Sequence, residues 1–207
     1  VLHWWHKEAR KGTRTRFSDD LLWLVYVTNY YIKVTEDNSI LNEQVEFVEG
    51  SELDECEDEK YIEFEYSKST ASLFAHCIFA IEHSLKTGEH GLILMGSGDW
   101  NDGMNEVGNK GKGESVWLSW FVYKILTDFA PICRSQSRED LADKYSEFAA
   151  KLKVCINSNA WDGDWYKRAF FDDGTPLGSV LNEECKIDSV SQSWSVISGA
   201  GDDVKKQ

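Results

Sequence analysis

Three observations predict an all-α chain of short helices interrupted by one small β-hairpin. Apolar residues recur at helical spacing in four or five separate stretches. Long polar loops join these stretches. One region only, 161–174, breaks the pattern, with an aromatic run between Asp-Gly pairs. Short helices joined by elaborate loops fit helix hairpins packed in a ring better than a plain bundle. No internal repeat is visible.

Ser18 is the expected N-cap of a helix that reaches about residue 34 and carries Leu21, Leu22, Val25 and Tyr26. Residues 36–65 hold thirteen acidic residues against one basic, Lys60, and read as a solvated loop with short turns. A second helix is expected over about 70–86, where Leu73, Cys77, Ile81 and Leu85 recur every fourth residue, and the glycines at 88–91 close it. A third begins near Glu114, carries Trp117, Trp120, Phe121, Ile125 and Phe129, and ends at Pro131. A fourth covers about 138–154. The run Trp165-Tyr166-Lys167-Arg168-Ala169-Phe170-Phe171 predicts a strand or short hairpin, and a last helix over about 188–198 precedes Gly199.

A hydrophobic content of 42% in 207 residues supports one sizeable core or part of a larger one. Nine Trp, eight Tyr and ten Phe suit a carbohydrate cleft, and a helical core absorbs them equally well. The net charge of -14 repels nucleic acid and an anionic membrane surface. A neutral oligosaccharide is compatible with it; a phosphate anion needs a locally basic site. Cys56, Cys77, Cys133, Cys155 and Cys185 are odd in number and never spaced C-x-x-C, a pattern of reduced thiols and a cytoplasmic protein. No run is long enough to span a bilayer, and no signal peptide is evident. The chain starts at Val1 without Met and stops at Gln207, which reads as a segment of a longer protein.

The densest chemistry lies in Gly98-Asp99-Trp100-Asn101-Asp102-Gly103-Met104-Asn105, between the apolar run 92–95 and the glycine-rich stretch 108–113. A loop of this composition suits a sugar: the ring stacks on the indole, hydroxyls bond amide and carboxylate, and an acid supplies a proton. A calcium loop fails, because Met104 stands at the sixth position and Lys110 at the twelfth. An ordinary Asn/Asp turn fits as well as a catalytic loop. In Gly12-Thr13-Arg14-Thr15-Arg16-Phe17-Ser18-Asp19-Asp20, the two Asp complement a helix start, or an Arg and an Asp bind vicinal sugar hydroxyls. His3 and His6 lack a third metal ligand, and the stretch 108–113 lacks the pattern of a nucleotide-binding loop.

Several motifs in fixed order resemble glycoside hydrolase family 94, the inverting β-glucoside phosphorylases. They are HWWH at 3–6, GTRTRFSDDLLWL at 12–24, GDWNDGMNEVG at 98–108, GKGESVW at 111–117, WDGDWYKRAFFDDGTPLGS at 161–179, NEECKID at 182–188 and QSWSVISGAG at 192–201. The resemblance implies an (α/α)6 barrel of which residues 1–207 form a central piece. An upstream β-sandwich and a downstream phosphate-binding segment are not in this chain, so the fragment is expected to be inactive alone. It maps the general acid onto Asp102 and a sugar-contacting indole onto Trp100, beside Asn101. The glycosyl subsite maps onto Arg14 and Asp20, with Arg16 and Asp19 as competing choices, and the acceptor side onto Glu184 and Gln192. No cofactor or metal is implied beyond inorganic phosphate as co-substrate. The partners are a β-gluco-oligosaccharide and phosphate, and a homodimer is admitted for the full protein.

Cleaving a glycosidic bond needs a proton on the leaving oxygen and a nucleophile at the anomeric carbon. Asp102 is expected to supply the proton, held protonated by burial against Trp100 or by repulsion from Asp99 or Asp20. Phosphate is already a nucleophile, so its attack needs no protein base and gives an α-sugar 1-phosphate. An inverting hydrolase would need a second carboxylate roughly 6.5–9.5 Å away to activate water, with Asp99 or Asp20 as the choices. A noncatalytic sugar-binding module is the third reading. Similarity within the family leans toward its β-1,2-glucan members.

Overall fold

The computed structural model describes residues 2–202, so the two chain ends at Val1 and Gln207 lie outside the described residues. Two compact units are present, Val1–Leu85 and Lys86–Gln207. The fold class differs from the all-α expectation with its partial (α/α)6 barrel: among the described residues, five α-helices stand beside three antiparallel sheets, a mixed α/β arrangement with 20% of residues extended.

In the first unit, β1 (Trp4–His6) and β2 (Lys11–Thr15) form an antiparallel pair. Helix α1 (Leu22–Thr35) follows. Its N-cap position is Leu21, and the Asp19 carbonyl accepts the Leu22 and Trp23 amides, so Ser18 is not the cap. A 3-10 turn, Asn38–Asn42, leads into β3 (Gln44–Glu49), β4 (Glu59–Glu63) and β5 (Glu65–Ser72). Strand β4 adds to β2, and β3 pairs with β5. The acidic stretch is therefore folded, not a solvated loop. Its apolar residues Val45, Phe47, Tyr61, Ile62 and Phe64 are interleaved with the acids, which is strand chemistry, and Phe64 is buried. Helix α2 (Leu73–Ser84) is capped by the Ser72 hydroxyl, which accepts from the Ala75 amide. It starts later than expected because β5 uses residues up to Ser72.

In the second unit, β6 (Ile93–Leu94), β7 (Glu114–Ser115), β8 (Ala169–Phe170) and β9 (Pro176–Leu177) form one antiparallel sheet in that order. The β8–β9 pair is the hairpin expected from the aromatic run. Helix α3 (Val116–Ser135) leaves directly from β7, its N-terminus capped by the Ser115 hydroxyl, which accepts from the Leu118 amide. Pro131 lies inside α3 and does not end it. Helix α4 (Glu139–Cys155) packs against α3, a π-turn follows at Ile156–Ala160, and α5 (Ser189–Ile197) closes the described chain. The core is aromatic: Trp117 stacks on Phe121 at 5.3 Å, Trp194 meets both rings edge-on, and Trp120 meets Tyr166 edge-on at 5.0 Å. Much of the aromatic excess is thus spent on packing.

Candidate active site

The loop between β6 and β7 carries the Asp99–Asn105 sequence, and its two carboxylates have opposite surroundings. Asp99 is fully buried. Its Oδ1 accepts from Arg168 Nη2 at 2.7 Å and from the Asn101 amide at 3.1 Å; its Oδ2 accepts from the Ser115 hydroxyl at 2.6 Å. Arg168, also buried, donates through Nη1 to the Ser115 hydroxyl at 3.2 Å and sits 3.6 Å from Asp188, the N-cap of α5. Three positions on, Asp102 is exposed. Asn101 holds the turn between them, accepting from the Gly103 amide through its side chain and from the Met104 amide through its carbonyl. Trp100 is half-exposed, its inner edge against buried Trp117 at 6.4 Å. A pinned base thus presents an acid, an indole and an amide at its tip. The burial expected for Asp102 against Trp100 is absent from this chain, because both side chains face outward.

The glycine-rich stretch after this loop is also pinned. The Asp172 carboxylate accepts backbone N–H groups of Lys110, Lys112 and Gly113 at 3.0, 2.8 and 2.9 Å. Burial pushes its pKa up, but these three bonds outweigh burial and leave it below the ordinary carboxylate value. A Cβ on Gly113 would stand 2.2 Å from the Val107 carbonyl oxygen, so the glycine serves close backbone approach rather than anion binding. On the adjoining strand, buried Glu114 accepts from His90 Nδ1 at 2.6 Å and from the His90 and Leu92 amides, and the His90 ring stacks on Phe170 at 3.8 Å. His90, Glu114 and Asp172 line a cleft of about 350 Å³ together with Lys112, Phe171 and Asp173.

The first unit carries the other expected cluster, and its geometry separates the competing residues. Arg16 is spent on the loop 53–57, donating to the carbonyls of Leu53, Asp54 and Glu57. Arg14 lies over the Phe64 ring at 5.5 Å and makes one long bond to the Gly50 carbonyl; its Nε is buried without a hydrogen-bond partner among the described residues. Asp19 is buried and accepts from Trp23 Nε1 at 2.8 Å, so it serves the start of α1. Asp20 is partly buried and accepts from His3 Nδ1 at 2.9 Å and from the Thr15 hydroxyl. In the second unit, Glu184 is exposed. Gln192 uses both ends of its amide on the Tyr166 backbone and also donates to the Asp188 carbonyl.

Arg168 and Ser115 were not singled out in the sequence. Arg168 was readable in principle: a guanidinium inside an aromatic strand run must be paired with a carboxylate. Its pairing with Asp99, 69 positions away, carries no sequence signal.

The Glycosyl hydrolase 94 superfamily catalytic domain matches residues 3–207. The chain is similar to cyclic beta-(1,2)-glucan synthase NdvB of Rhizobium meliloti, 40% identical over 203 residues that cover 98% of this chain and 7% of that protein. Solabiose phosphorylase of Paenibacillus borealis is 37% identical over 185 residues, covering 88% of this chain and 22% of the relative. Cellobionic acid phosphorylase of Neurospora crassa is 33% identical over 184 residues, covering 88% and 21%. The chain therefore spans at most about a fifth of the length of these relatives.

Proposed function

Because the chain belongs to the Glycosyl hydrolase 94 superfamily, we propose that it carries the proton-donating part of an inverting phosphorylase acting on β-linked gluco-oligosaccharides. The supporting observation is the loop whose first carboxylate, Asp99, is locked under it while Asp102, Trp100 and Asn101 are presented at its tip. Asp102 gives its proton to the leaving glycosidic oxygen, and bound sugar supplies the desolvation that keeps the acid protonated before reaction. Trp100 offers its half-exposed face to a sugar ring, and Asn101 helps fix the turn that presents Asp102. Arg14 and Asp20 take hydroxyls of the glycosyl unit. Arg14 is preferred over Arg16 because its Nε lacks a partner, and Asp20 over Asp19 because Asp19 is spent on Trp23. Glu184 serves the acceptor side, where Gln192 acts through the Tyr166 backbone.

Inorganic phosphate performs the displacement from the opposite face and yields an α-glucose 1-phosphate, and the balanced free energy permits synthesis as well. No helix among the described residues is long and apolar enough to cross a membrane. The five cysteines are free thiols, and on that chemistry the segment suits a reducing, cytoplasmic compartment. Of the two carboxylates a hydrolase could use as base, Asp99 is sealed in an ion pair with Arg168, which leaves that reading to Asp20.

The test is product analysis by NMR, with full-length protein and β-linked glucose disaccharides of each linkage, with and without inorganic phosphate. The reading expects α-glucose 1-phosphate only when phosphate is present, and the linkage that turns over identifies the substrate. Free glucose released at the same rate without phosphate would establish the hydrolase instead. Oligosaccharide binding with no turnover under either condition would leave a noncatalytic module.

A further inference from the structure

We infer that Arg168 is the positioning residue of this site: it holds the Asp99–Gly103 loop in the geometry from which Asp102 delivers its proton. The inference rests on Asp102 being the general acid. A chain of contacts joins the guanidinium to the backbone on both sides of Asp102. Arg168 Nη2 grips Asp99 Oδ1, which also accepts the Asn101 amide, just before the acid. The Asn101 side chain then accepts the Gly103 amide, just after it. Arg168 Nη1 reaches the Ser115 hydroxyl, which itself donates to Asp99 Oδ2 and caps α3. One planar fork therefore ties the loop to the first turn of α3, while its Nε side faces Asp188 at the first turn of α5. Both members of the Arg168–Asp99 pair are out of water, so neither is positioned to touch a substrate. A lysine keeps the charge but, as a point donor, cannot span Asp99 and Ser115 in one plane. The loop then loses one of its two anchors, and displacement of a proton donor by about an ångström costs up to about 10²-fold.

The experiment compares two leaving groups in the full-length protein. Phosphorolysis of a β-linked glucose disaccharide needs protonation of a poor leaving group; phosphorolysis of a dinitrophenyl β-glucoside does not. Arg168→Lys is expected to lower kcat on the disaccharide by about 10- to 100-fold with KM within about twofold, and to leave the aryl glucoside rate within about twofold. Equal loss on both substrates, or no loss on either, overturns the inference. Asp99→Asn is the second variant, should Arg168→Lys fail to fold, and the same split is expected. Asp102→Asn is run in parallel. If it shows the leaving-group split and the Arg168 and Asp99 variants do not, the positioning role alone fails. If Asp102→Asn shows no split, the general-acid reading fails and the inference falls with it.

Discussion

Asp99 and Asp102 are three residues apart in one loop, yet one carboxylate is sealed beneath it and the other is at its tip. The sequence supplied both acids without telling them apart except by resemblance, because the difference is made by Arg168 and Ser115, far along the chain. The same holds for the first unit. Spacing left Arg14 and Arg16 equivalent, and geometry separates them: Arg16 closes the 53–57 loop, while the Arg14 Nε awaits a partner. Arg14→Ala in the full-length protein is therefore expected to lower kcat/KM by about 10- to 100-fold, the worth of a charge-assisted hydrogen bond. Arg16→Ala is expected to change kcat/KM less than about twofold and to act on stability. Steady-state kinetics of the two variants check this, and a reversed order contradicts it.

Helical elements were legible because their apolar period persists over nine or more residues, as in α3 and α4. The strands were not, for two reasons. Four of them are two residues long, too short for an alternation to register. Strands β3 and β4 lie in a stretch whose acidity masks the interleaved Val45, Phe47, Tyr61 and Ile62. Proline misled in the opposite direction, since α3 continues through Pro131. At this scale the glycine-rich stretch depends on Asp172. Asp172→Ala leaves three backbone N–H groups without their acceptor and is expected to destabilise by about 1–3 kcal/mol. The Asp172 pKa is depressed by folding, so its contribution is fully present above about pH 3.8 and fades as pH falls through the lower folded value. Denaturant midpoints of parent and variant should differ at neutral pH and converge in strong acid; a difference that persists there excludes the ionised carboxylate as its cause. Gly113→Ala meets the Val107 carbonyl and is expected to lower the midpoint further, with the m-value unchanged.

Across the whole molecule, ordered motifs carried the family while element counting misjudged the class. The motifs are read residue by residue, whereas the helix-rich pattern says little about short strands between the helices. Arg14 and Asp20 lie in the first unit and the Asp99–Gly103 loop in the second. The account reduces to one exposed carboxylic acid acting on a departing sugar oxygen. The direct measurement is the phosphorolysis rate of Asp102→Asn in the full-length protein on its preferred β-linked disaccharide, with folding verified by an unchanged unfolding midpoint. The expected result is a loss of at least ~10²-fold in kcat. A rate within twofold of the parent would contradict it.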